Sequence, residues 1–94
     1  MPYLFVRHRV RDFGRWKAIF DGHAAARQAL GCLGGQLFRN SEDPSDVSVL
    51  LQWRSLEGAR AFTAPADLGR IQEDAGVLGE VTCLFLGDPE PVSV

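Results

Sequence analysis

Between Phe13 and Leu30, bulky or apolar side chains stand at positions 13, 16, 20, 23, 27 and 30. Steps of three and four put them on one face of a helix. Asp12 supplies an N-cap before it and Gly31 a terminator after it. At about 1.5 Å per residue, one helix over this span is roughly 27 Å long, enough to cross a small sheet. A helix that carries such a stripe must lie on an apolar surface, and the flanking segments provide one.

Tyr3–Val10 (YLFVRHRV) alternates and is rich in β-branched and aromatic residues, as a strand requires. After Gly34-Gly35, an extended segment over Gln36–Asn40 and a strand over Val47–Trp53 flank the turn-forming run Ser41-Glu42-Asp43-Pro44-Ser45-Asp46, which predicts a solvated hairpin. The acidic residues of that turn lack the regular ligand spacing of a calcium loop. Ser55 caps a short helix carrying Leu56, Ala59 and Phe62, and Pro65 interrupts it. A further helical piece over Ala66–Ala75 groups Leu68, Ile71 and Ala75, and the last strand is Glu80–Leu86. Asp88-Pro89-Glu90-Pro91 is an extended tail. The order β-α-β-β-α-β predicts an α+β, ferredoxin-like domain over residues 1–94, a four-stranded antiparallel sheet with its helices on one face.

The composition agrees with that reading and excludes others. A hydrophobic fraction of 46% with a net charge of −2 is incompatible with a disordered chain. Apolar runs such as Val49-Leu50-Leu51 are too short to span a bilayer, and no secretory signal pattern is visible, so a cytoplasmic protein is expected. The mild acidity gives no reason to expect nucleic acid or an anionic membrane as partner. Cys32 and Cys83 form no C-x-x-C pair and read as small buried hydrophobes.

The strands are apolar on both faces. Val81, Cys83 and Phe85 oppose Thr82, Leu84 and Leu86, and Val47, Val49, Leu51 and Trp53 oppose Ser48, Leu50 and Gln52. Helices cover one face, so the other needs a second cover, and another copy of the sheet is the economical one. A homodimer through the sheet face is expected.

The stripe on the long helix contains His23 and Arg27 among Phe13, Trp16, Phe20 and Leu30. A buried cation is costly unless paired. Either the stripe lines a pocket with room for a ligand, or Arg27 snorkels past the helix end while His23 bonds a backbone carbonyl. In a pocket, His23 suits proton transfer and Arg27 suits bidentate contact with a carboxylate or enolate oxygen. His8 shares a strand face with Leu4, Val6 and Val10. It is either a satisfied core histidine or a second imidazole converging on the same pocket. Trp16, Phe20 and Trp53 are candidate walls for a planar substrate, or simply core. Asp21 reads as solvent-facing, paired with an arginine at a neighbouring helical turn. Two histidines without a third ligand at metal spacing predict no metal site, and no organic cofactor is expected.

The opening unit, VRHRVRDFGRWKAIFDGHAAARQALGCLGG, with FRNSEDPSDVSVLLQW, the SLEGARAF helix and GVLGEV, resembles the small dimeric α/β-barrel proteins of the antibiotic-biosynthesis monooxygenase (ABM), or cyclase-like, superfamily. Trp16, Phe20, His23 and Arg27 fall on its W-K-x-x-F-D-x-H-x-x-x-R pattern. The resemblance implies a face-to-face homodimer with a pocket between sheet and helices in each subunit. It also implies a cofactor-free monooxygenase, cyclase or isomerase acting on a small phenolic or enolisable molecule. A non-catalytic ligand-binding domain, or a dimeric interaction domain, remains the alternative, since fold does not fix activity. The Asn/Trp/His set of the haem-degrading branch is not matched, Asn40 falling in a turn.

Overall fold

A computed structural model describes residues 1–63 and 72–94. The elements run β1 (Tyr3–Val10), α1 (Phe13–Gly22), α2 (Ala24–Ala29), β2 (Cys32–Arg39), β3 (Asp46–Trp53), α3 (Leu56–Thr63) and β4 (Val77–Leu86). The four strands form one sheet in the order β2-β3-β1-β4, with every neighbouring pair antiparallel. This is the ferredoxin-like α+β arrangement expected from the chain order. The expected helix over Ala66–Ala75, with Leu68 and Ile71, falls largely outside the described residues. Residues 72–74 are helical and Ala75 is buried.

The period-two pattern of the strands sorts the side chains by face. Leu4, Val10, Val47 and Trp53 are fully or almost fully buried on the helix side, where Val49 and Leu51 join them. Trp16 lies over this floor from α1, and Ala59 from α3. The starts of α1 and α3 are capped as the sequence predicts: the Asp12 carboxylate accepts from the Arg15 N–H at 3.3 Å, and the Ser55 hydroxyl from the Gly58 N–H at 3.2 Å. Gly58 also allows close packing, since a Cβ there would stand 2.1 Å from the Leu30 carbonyl oxygen.

Five local features differ from the sequence expectations. The single long helix is two. Its ladder breaks at His23, which sits at φ −98° and ψ 10° between α1 and α2. The apolar stripe runs on through the break because both pieces face the sheet. Strand β2 begins at Cys32 rather than Gln36, so Gly34 and Gly35 lie within it instead of preceding it. Gly34 has a φ of +122° beside a register shift, and a Cβ on Gly35 would meet the Leu50 carbonyl oxygen at 2.0 Å. Strand β4 begins at Val77, and its pairing with β1 is irregular between Arg7 and Arg9. Gly79, at φ +68°, lies in the extra length of β4 opposite His8, as glycine at a bulge does.

The fourth difference is Asp46. It is not a solvated turn residue but the buried first residue of β3, 7% exposed. Arg7 grips it with two hydrogen bonds, at 3.0 and 2.6 Å, and the Asn40 amide donates a third at 3.1 Å. These donors hold its carboxyl well below the usual carboxylate range. Cys32 is buried as expected, whereas Cys83 is exposed within the chain.

Candidate active site

Between the helices and the sheet lies a cavity of about 420 Å³. His8 and Val6 reach it from β1, and Trp16 and Phe20 from α1. His23 comes from the junction and Arg27 from α2. Val49, Leu51, Val81 and Cys83 form the floor, with Phe62 on the α3 side. Five of the six residues singled out from the sequence therefore share one cavity. Trp53 does not line it. That indole is fully buried at the end of β3, its ring 5.5 Å from Phe62, and it belongs to the core rather than to a substrate wall.

The side chains on the α1 wall form a continuous stack. The His8 imidazole meets the Trp16 indole edge-on at 5.5 Å between centroids, and Trp16 stacks on Phe20 at 4.9 Å with 18° between planes. The Arg27 guanidinium carbon lies 3.8 Å from the centre of the Phe20 ring. An imidazole and a guanidinium thus stand at opposite ends of an aromatic stack that lines the cavity.

The two polar ends differ in chemistry. His8 is only 7% exposed, and neither ring nitrogen has a hydrogen-bond partner among the described residues. A buried group of this kind costs on the order of 1–3 kcal/mol unless something satisfies it. Burial lowers its pKa from the ordinary imidazole value, against a smaller opposing pull from the Asp46 carboxylate. The ring is therefore neutral at physiological pH, with a basic nitrogen free. His23 is half-buried at the mouth of the helix junction and also faces the cavity.

Arg27 is equally buried, 7% exposed, and makes no salt bridge among the described residues. What holds it is the helix break. The Phe20 carbonyl, released from an uninterrupted ladder, takes the His23 N–H at 3.2 Å and the Arg27 Nη1 at 2.8 Å. Burial lowers the guanidinium pKa from its usual value, yet an arginine stays charged. Asp21 does not reach it: its carboxylate pairs with Lys17 one turn back at 2.5 Å, so its partner is this lysine and not the arginine expected from the sequence.

The bulge in β4 is the feature of the site that sequence reasoning missed. It faces His8, and irregular pairing of this sort re-aims side chains beside binding sites. Its signal is the glycine inside the strand segment Val77-Leu78-Gly79-Glu80-Val81.

Comparison with solved structures identifies the architecture. An antibiotic biosynthesis monooxygenase superposes with a TM-score of 0.70 at 14% identity, over 97% of this chain and 100% of that one. SnoaB of Streptomyces nogalater, described as a cofactor-independent oxygenase, gives 0.76 at 13% identity, over 97% and 95% of the two chains. The chain has the ABM fold. A Mycobacterium tuberculosis protein, Rv0793, also matches, with a TM-score of 0.65 at 16% identity over 99% and 100%. No family model matches the sequence, and no curated protein does. The likeness of this chain to its neighbours therefore lies in the backbone. No helix among the described residues is long and apolar enough to cross a membrane.

Proposed function

We propose that this ABM-like chain is an enzyme that takes a proton from a small planar phenolic or enolisable molecule bound in the cavity, without a metal or organic cofactor. The observation that carries this reading is the pairing, in one apolar cavity, of a neutral imidazole with no partner and a cation with no counter-charge among the described residues. His8 accepts the proton, and Arg27 holds a carboxylate or enolate oxygen of the ligand. His23, less buried, exchanges the proton with solvent, and Trp16 and Phe20 form the wall. Returning the proton elsewhere gives an isomerase or cyclase. Reaction of the resulting carbanion with dioxygen gives a monooxygenase, in which a CH₂ group becomes C=O and the second oxygen atom leaves as water. The description of SnoaB as a cofactor-independent oxygenase favours the second course.

The first test is thermal shift with hydroxylated aromatics, quinones, enolisable acids and haem. A ligand at 100 times its Kd should stabilise the protein by about 2.7 kcal/mol, a shift of several degrees for a domain of this size. Bound compounds are then followed by NMR for exchange of the acidic C–H or for oxidised product. Binding without either would reduce the chain to a ligand-binding domain, and no shift with any compound would remove the reading altogether.

The second copy expected from the sequence is part of this proposal. On the sheet face away from the helices, Leu50, Phe5 and Leu84 form one cross-strand row. Phe38, Leu84 and Leu86 there are 54%, 49% and 40% exposed. The cations of that face are already answered within the chain, Arg7 by Asp46 and Arg9 by Asp43. An apolar, internally neutralised surface suits an identical one better than a charged partner. Light scattering should give twice the chain mass for the wild type and one chain mass for Leu84→Glu; a monomeric wild type would refute the dimer.

A further inference from the structure

Arg27 does not end the cavity; it divides two. On its far side, between α1, α2 and β2, lies a second space of about 280 Å³, which shares Phe20, Arg27, Val49 and Leu51 with the first. The two differ in lining. The larger is walled almost wholly by apolar and aromatic groups, whereas the smaller has Lys17, Asp21, Gln28 and Gln36 on its surface. Gly34 and Gly35 border it without side chains, and a Cβ on Gly34 would meet nothing within 4 Å. Of the two charged groups other than Arg27, Lys17 and Asp21 neutralise one another. The charge left over at the partition is the guanidinium.

We propose that the ligand is a planar aromatic acid lying across this partition, with its ring in the apolar cavity, its hydroxyl or enolisable end at His8, and its carboxylate against Arg27 in the smaller, more polar space. This rests on the reading of the larger cavity given above and names the substrate class it takes. One donor of Arg27 is spent on the Phe20 carbonyl, one face of its plane on the Phe20 ring, and the remaining N–H groups are free to grip two carboxylate oxygens. A phenol without the acid fills the apolar cavity and leaves the buried cation uncompensated, which is the situation that gives acid-over-neutral selectivity.

The test compares 6-hydroxy-2-naphthoate, its methyl ester and 2-naphthol, titrated by their own fluorescence against the wild-type protein, Arg27→Met and Arg27→Lys. The acid is expected to bind the wild type on the order of 10–100-fold more tightly than the ester. Arg27→Met should erase that preference, the acid then binding no better than the ester, and Arg27→Lys should restore part of it. Equal binding of acid and ester to the wild type, a comparison that needs no variant to fold, overturns the assignment of an acid while leaving the apolar cavity as a phenol site. Failure of all three compounds to bind overturns both.

Discussion

Replacing His8 with glutamine is expected to lower turnover by about 10²–10⁴-fold, the usual worth of a positioned proton acceptor. Glutamine fills similar space and still hydrogen-bonds, so ligand affinity should change much less than the rate. The pH profile separates a reacting imidazole from a structural one. Burial lowers the pKa of His8 below the ordinary 6.5, so the wild-type rate should hold below pH 6.5 and fall only as His8 itself takes up a proton. Stability should follow the same group. Between pH 6.5 and the lower folded value, the unfolded chain binds a proton that the folded chain refuses, so stability declines as pH falls through that window. In His8→Gln both the acid limb of the rate and this part of the stability slope should be absent. Steady-state kinetics with chemical denaturation at several pH values checks both, and a variant with wild-type turnover would end the role assigned to His8.

Trp53→Ala should be the most damaging substitution for the fold, at about 3–5 kcal/mol. The indole is fully buried, packs on Phe62, and stands where the β3 backbone N–H bonds to the Pro2 carbonyl at 2.9 Å. At a few degrees or more per kcal/mol for a domain of this size, the loss should lower Tm on the order of 15 °C or more. Trp53→Phe should be mild by comparison, because it keeps an aromatic core and removes an indole N–H that has no partner among the described residues. Since Trp53 stands outside the cavity, Trp53→Phe should bind ligand as the wild type does. A weakened ligand with intact folding would return Trp53 to the site.

The architecture was legible because it rests on periodicity. Steps of three and four along residues 13–30 and alternation in the strands identify faces, and the order of elements leaves few ways to assemble them. The same logic explains what was hidden. The stripe of the first helix continues through His23, so a pattern of faces carries no sign of a broken ladder; the one cue is Gly22 just before it. Gly34 and Gly35 read as a turn because glycine favours turns, yet one occupies a bulge-like φ and the other lets β2 pass a carbonyl on β3. Asp46 read as a turn acid because the residue that buries it, Arg7, lies 39 positions away. The site was legible to the same degree. His8, His23 and Arg27 stand out as polar interruptions of apolar faces, Trp16 and Phe20 as large aromatics on one of them, and the five meet in one cavity. Trp53 satisfied the same criterion, and nothing local distinguishes a wall of a cavity from the core beside it. Which histidine stays neutral and unpartnered depends on what surrounds each ring, and no spacing encodes that.

The interruption at His23 has a lasting consequence for how this chain can diversify. The charge in the cavity is anchored to a main-chain oxygen, that of Phe20, rather than to the acidic side chain of a neighbour. A carboxylate partner can be lost in one codon, stranding the cation; a carbonyl is present whatever residue occupies position 20. Replacing the ring at position 20 would therefore remove the stacked face of the guanidinium but leave its main-chain seat in place. Lineages of this chain can remodel what the cavity recognises while keeping the same positive point within it.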